Sequence, residues 1–89
     1  MWIRSQDRKI LTNESYFRIY KERKEYSICS RVEVLGTYST EKKALKVMDM
    51  IEDSILKCEA MRTGYAEYDF GAFVFDMPDD KDVEVWMSY

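Results

Sequence analysis

The chain has 89 residues, 46% hydrophobic, 15% aromatic and 35% charged, with no histidine and a net charge of −3. That length holds one domain, with a core large enough for one helix on one sheet. Without histidine there is no Ser-His or Cys-His pair and no ordinary neutral-pH general base, so a non-enzymatic protein is expected. The charge is split: residues 1–34 carry eight Lys or Arg against five Asp or Glu, and residues 35–89 carry six against twelve.

Met1–Ser5 and Lys9–Asn13 are short strands joined by the polar turn Gln6–Arg8, and form a hairpin. Tyr16–Lys21 alternates as a half-buried strand does, with Phe17 and Ile19 on one side and Tyr16, Arg18 and Tyr20 on the other. The charged turn Glu22–Glu25 has neither Gly nor Asn to specify its type. Tyr26–Leu35 then alternates along its whole length. Tyr26, Ile28, Val32 and Val34 are expected on the inner side, with Ser27, Cys29, Arg31 and Glu33 on the outer one. Gly36 is read as the break that ends this strand.

Ser39–Thr63 is the strongest element. Ala44, Met48, Ile51, Ile55 and Cys58 recur at steps of four and three, the stripe of an amphipathic helix, widened by Leu45 and Val47. Ser39 is the expected N-cap, Glu41 suits the positive end of the helix dipole, and Gly64 is the expected stop. Tyr65–Gly71 is aromatic and acidic without a period. Residues 72–76 (AFVFD) have four adjacent apolar positions, as in a strand covered on both faces, and Pro78 ends it. Residues 79–89 form an acidic tail in which Val83, Val85 and Met87 alternate with Glu84, Trp86 and Ser88, either a short edge strand or a loose end.

The expected fold is α+β in a single domain, 1–89. An antiparallel meander of four strands fills 1–35, one helix over 39–63 covers one face, and a fifth strand returns to the sheet at 72–76. The apolar runs are too short to cross a bilayer, and the first residues lack the basic-then-apolar order of a signal peptide. The expected location is cytoplasmic, with no membrane contact. Cys29 and Cys58 make no CxxC pair and have no histidine beside them, so neither structural zinc nor a disulfide is expected.

Two sets of residues are candidates for binding. Tyr16, Arg18, Tyr20 and Arg31 lie on the sheet face turned away from the helix, where Arg and Tyr together suit an anion or a nucleotide. Glu22, Glu25 and Glu33 are mixed into that cluster and the chain as a whole is acidic, which disfavours direct nucleic-acid binding. Asp79, Asp80, Asp82 and Glu84 form the second set. They lack the glycine-bearing loop of a calcium site, and Lys81 sits among them, so no metal or cofactor is expected and a solvated turn is the simpler reading. Eight exposed-type aromatics, Trp2, Tyr16, Tyr20, Tyr38, Tyr65, Tyr68, Trp86 and Tyr89, exceed what so small a core holds, and Tyr and Trp are enriched at protein contacts.

The opening Met1–Asp7 (MWIRSQD), the junction Leu35–Ile51 (LGTYSTEKKALKVMDMI), and Phe75–Pro78 (FDMP) with the acidic Asp79–Glu84 resemble small uncharacterised proteins of Gram-positive bacteria and their phages. The resemblance implies a mobile-element setting and no particular reaction. Two functions fit. One is a phage-type binding protein that occludes a host protein, in the manner of a counter-defence or anti-CRISPR inhibitor. The other is a sponge that sequesters a nucleotide signal on the Tyr/Arg face, as an oligomer. A homodimer through that open face or through the edge of the tail strand is expected with either.

Overall fold

The computed structural model describes residues 1–60 and 74–84. Among them the strands are β1 (Trp2–Arg4), β2 (Leu11–Asn13), β3 (Arg18–Glu22), β4 (Glu25–Cys29), β5 (Val34–Tyr38) and β6 (Val74–Asp76). A single helix, α1 (Glu41–Ala60), follows β5, and a 3-10 turn at Asp80–Asp82 follows β6. The fold is α+β, with α1 packed on β4 and β5.

The strands do not form one meander. They make two three-stranded sheets, ordered β2-β1-β6 and β3-β4-β5. β1 is antiparallel to β2 and parallel to β6, with Ile3 opposite both Thr12 and Phe75. Strand count and alternation are blind to this division, because each hairpin is local and the break falls in the connection at Glu14–Phe17.

The long strand expected over Tyr26–Leu35 is instead a hairpin. β4 ends at Cys29, and Ser30 starts a tight turn: its backbone N–H donates to the Glu33 carbonyl at 2.9 Å, and its hydroxyl accepts from the Glu33 N–H at 3.2 Å. A serine hydroxyl satisfying nearby backbone groups is a recognised turn device. The alternation ran through this turn by coincidence. Val32 and Val34, expected on the inner face, are 76% and 54% exposed, while Cys29 keeps the expected outer-face register opposite Arg18 and is buried there. Phe17, Ile19 and Ile28 do face the core as expected.

Gly36 lies inside β5 and does not end a strand. A Cβ there would stand 3.0 Å from Tyr38 Oη and 3.1 Å from Met77 Cε, so this glycine answers to crowding rather than to a turn. The helix N-cap is Thr40, whose hydroxyl accepts from the Lys43 N–H at 3.1 Å; Ser39, the expected cap, is held by Asp80 instead. Of the expected stripe, Ala44 and Ile51 are buried, Met48 and Ile55 pack against the core, and Val47 is at its centre, whereas Leu45 points outward.

The core joins both sheets to the helix. Ile3 of β1, Ile28 of β4 and Tyr38 of β5 meet Val47 and Ile51 of α1, and Met77 and Val83 close the far end. β6 is not covered on both faces: Val74 is exposed while Phe75 packs inward. The acidic tail is not loose at its start, since Val83 is buried. The expected helix end at Gly64, the loop Tyr65–Gly71, the strand start at Ala72 and Phe73, and Val85–Tyr89 lie outside the described residues.

Candidate binding surface

The outer face of the β3–β4 hairpin follows from its register. Arg18 pairs with Cys29, Tyr20 with Ser27 and Glu22 with Glu25, and side chains two apart share a face. Tyr16 lies just before β3 and Arg31 lies in the turn after β4, and their side chains meet: the Arg31 guanidinium lies 4.9 Å from the Tyr16 ring centroid. The Arg18 guanidinium lies 5.5 Å from the Tyr20 ring. Tyr16 and Tyr20 remain 43% and 47% exposed. All four Tyr/Arg candidates are therefore brought together as two stacked pairs on one face.

Their electrostatics differ from those of Arg4 and Arg8. Arg4 and Arg8 both reach Asp76, at 3.9 and 3.3 Å. Among the described residues, neither Arg18 nor Arg31 meets a carboxylate. A guanidinium lying on an aromatic ring keeps its N–H edge available for a bidentate acceptor.

The acidic set sits elsewhere, on the turn after β6, and is divided in role. Asp80 is structural. Its Oδ1 accepts from the Ser39 N–H at 2.8 Å and the Ser39 hydroxyl at 3.0 Å, and its Oδ2 lies 3.4 Å from Lys43 Nζ. The Ser39 N–H, first, and then the Ser39 hydroxyl and Lys43 hold the Asp80 carboxyl below the usual range, against a smaller opposing effect of burial. Asp80 thus ties the turn to the start of α1, and the solvated turn expected there is a strut. Asp79, Asp82 and Glu84 are exposed on it. No group of three or more metal-ligating side chains occurs among the described residues.

A highly connected polar residue, Gln6, escaped the sequence reading. Gln6 donates its backbone N–H to the Leu35 carbonyl at 2.7 Å. Its side-chain amide accepts from the Thr37 N–H at 3.0 Å and donates to the Thr37 and Pro78 carbonyls, each at 3.1 Å. The Tyr38 hydroxyl donates to the same Pro78 carbonyl at 2.8 Å. Burial, with the charges of Asp79 and Asp80 added, pushes the Tyr38 hydroxyl well above its ordinary pKa. Tyr38, counted among the surplus aromatics, is a core residue.

Before Gln6, the Ser5 hydroxyl donates to Asp7 Oδ1 at 2.6 Å and accepts from the Ile10 N–H at 3.0 Å. The Ser5 hydroxyl, followed by the Lys9 N–H, holds the Asp7 carboxyl below its ordinary value. A serine and an aspartate two apart in a polar turn are the signal that could have suggested this closure. Met1–Asp7, Leu35–Ile51 and Phe75–Glu84 thus converge on one junction of backbone hydrogen bonds and core contacts. That accounts for them as architecture.

No protein-family model matches the chain, and neither a curated protein nor a solved structure matches it. Among the described residues, no helix is long and apolar enough to cross a membrane. Cys29 and Cys58 are free thiols.

Proposed function

We propose that the protein is a non-enzymatic binding protein whose contact surface is the outer face of the β3–β4 hairpin. The observation that carries this reading is the pair of arginines, Arg18 and Arg31, stacked on Tyr20 and Tyr16 with no carboxylate beside either among the described residues. Stacking fixes each guanidinium at little further entropy cost, and a fixed fork recognises carboxylate or phosphate with both geometry and charge. Exposed tyrosines beside it supply rigid apolar area. Among the described residues, the groups with shifted pKa values, Asp7, Tyr38 and Asp80, are each engaged in holding the fold, which supports binding over catalysis.

The resemblance to phage and Gram-positive proteins makes occlusion of a host protein, as in counter-defence, the concrete form of the proposal. A nucleotide sponge using the same residues is the second reading. It is the weaker one, because each ring already carries a guanidinium on one side.

The experiment compares tagged wild type with Arg31→Ala, which leaves Arg18 in place, in retrieving a partner from host lysate at low salt, beside plating of phage carrying each gene on defended cells. A stoichiometric partner and a plating advantage, both lost in the variant, are expected. A partner retained by the variant overturns the assignment of this face. Stabilisation of the wild type by a nucleotide, without a protein partner, selects the sponge.

A further inference from the structure

The two edges of the β3-β4-β5 sheet are treated differently. Glu22 and Glu25 flank a two-residue turn, so they exchange backbone hydrogen bonds, and bonded pairs alternate from there. Arg18, Tyr20 and Glu22 turn their backbone groups toward β4, and Ile19 and Lys21 turn theirs to the outside. The same alternation carried across β4 sends Leu35 and Thr37 of β5 outward at the opposite edge. Gln6 meets both of them there, bonding to the Leu35 carbonyl and to the N–H and carbonyl of Thr37, which verifies the parity. That edge is closed. Among the described residues no strand pairs with the outer edge of β3.

The sequence along that edge, Arg-Ile-Tyr-Lys-Glu, is complementary to itself when reversed. We propose that the protein forms a two-fold dimer by antiparallel pairing of β3 with β3 of a second copy, centred on Tyr20. In this register Ile19 and the partner's Lys21 form a bonded pair, as do Lys21 and the partner's Ile19, using the four residues whose backbone groups face outward. Tyr20 faces the partner's Tyr20 across the axis, and Arg18 faces the partner's Glu22 at both ends. Opposite charges and aromatic pairs directly across strands favour pairing.

Parity allows only shifts that keep Ile19 and Lys21 in bonded pairs, and charge rejects the neighbouring ones. A shift one way sets Lys21 against the partner's Lys21. A shift the other way leaves both Glu22 carboxylates without a cation opposite. Lysine on an edge usually guards against association. Here Lys21 Nζ lies 5.7 Å from the ring centroid of Tyr26, so the charge is drawn over its own sheet, and its aliphatic stem is left for the partner's Ile19. The interface is isologous and closes at two copies, joining two three-stranded sheets into one. In the dimer Arg18 is engaged by Glu22 of the second copy, so the Tyr16–Arg31 pair is the part of the outer face left for a binding partner. Dimer and partner binding are separate properties.

Sedimentation of the full chain at micromolar concentration reads the dimer. Arg18→Glu should give a monomer by facing two like charges, and Arg18→Glu/Glu22→Arg should restore the dimer. Lys21→Pro removes an outward N–H without touching the β4 ladder and should also give a monomer. Tyr20→Cys tests the register directly, because non-bonded antiparallel neighbours approach to about 4.5 Å between Cα atoms. Mild oxidation should link two copies through the substituted position, as read by peptide mass mapping, whether or not the charge variants fold. A monomeric wild type, a dimer indifferent to Lys21→Pro, or absence of that crosslink each overturns the proposal.

Discussion

Gln6 and Thr37 exchange two hydrogen bonds, side-chain amide to backbone, at 3.0 and 3.1 Å, so a single side chain occupies the place of a neighbouring strand. The arrangement satisfies an edge that would otherwise face the core junction with unpaired groups. Gln6→Ala removes both bonds and the one to Pro78, and should destabilise by roughly 1–3 kcal/mol in urea unfolding. Gln6→Glu keeps the acceptor but sets a carboxylate against the Thr37 and Pro78 carbonyls, and should be no better than alanine at neutral pH.

Gly36→Ala should destabilise by about 1–3 kcal/mol, the usual cost of overpacking. The new methyl meets Tyr38 Oη and Met77 Cε within 3.1 Å. Met77 Cε is the end of a flexible chain and can yield, whereas Tyr38 Oη is pinned by the Pro78 carbonyl. The same substitution in a Tyr38→Phe background should therefore cost less. A double-mutant cycle from denaturant curves measures this coupling, and simple additivity would contradict it.

Tyr38 also sets the alkaline limit. Its pKa is raised in the fold, so the folded state holds a proton that the unfolded chain releases. The sign follows: the contribution is complete below the ordinary tyrosine value of 10.0 and is lost as pH rises above it. Ultraviolet titration should show one tyrosine that ionises only with unfolding. In Tyr38→Phe the decline in stability above that pH should be shallower.

Asp80 acts in the opposite sense. Its carboxyl is held below the ordinary 3.8, so its contribution is present above that value and disappears as pH falls through the lowered one. The stability difference between wild type and Asp80→Ala should be clear at neutral pH and should shrink on acidification. An unchanging difference would mean that the Ser39 contacts do not depend on the charge.

Arg23 occupies the first position of the β3–β4 turn with φ 57°, and Lys24 does not share a positive φ. That is the signature of a type II′ turn, where glycine is favoured. Arg23→Gly should raise the thermal midpoint slightly, relief of about 1 kcal/mol of backbone strain being partly offset by the entropy glycine loses on folding.

This turn shows where the sequence was legible and where it was not. Glu22–Glu25 could be placed as a turn from its charge, but its type could not, because the residue at the strained position is not one that advertises it. α1 was readable because its stripe repeats over about four turns of helix, so that errors at Leu45 and Ser39 left the element intact. Tyr26–Leu35 failed for the converse reason. A four-residue turn whose exposed positions continue the alternation by chance looks like strand, and only the hydroxyl of Ser30 distinguishes it.

The candidate face was half legible. Tyr16, Arg18 and Tyr20 share a face by local alternation alone, and that survives any change in topology. Arg31 reached the face by a different route, through the turn, and meets Tyr16 rather than continuing β4. Gln6 could not be found at all: its partners lie 31 and 72 residues away, and nothing local in a turn glutamine distinguishes a bridging amide from a solvated one.

The placement of β1 has a consequence for how the protein is made. It is the middle strand of its sheet, yet Trp2 must wait for Val74 before its second neighbour exists. A ribosome delivers the central strand about 70 residues before one of its flanks. During that interval Ile3 has no Met77 to pack against, and the Arg4 carbonyl lacks the Met77 N–H it will accept at 3.0 Å. The hairpin sheet and helix can assemble as they emerge, but the β1 sheet is completed only when translation has passed the FDMP segment. A product that stops before that segment therefore leaves one edge of β1 unpaired.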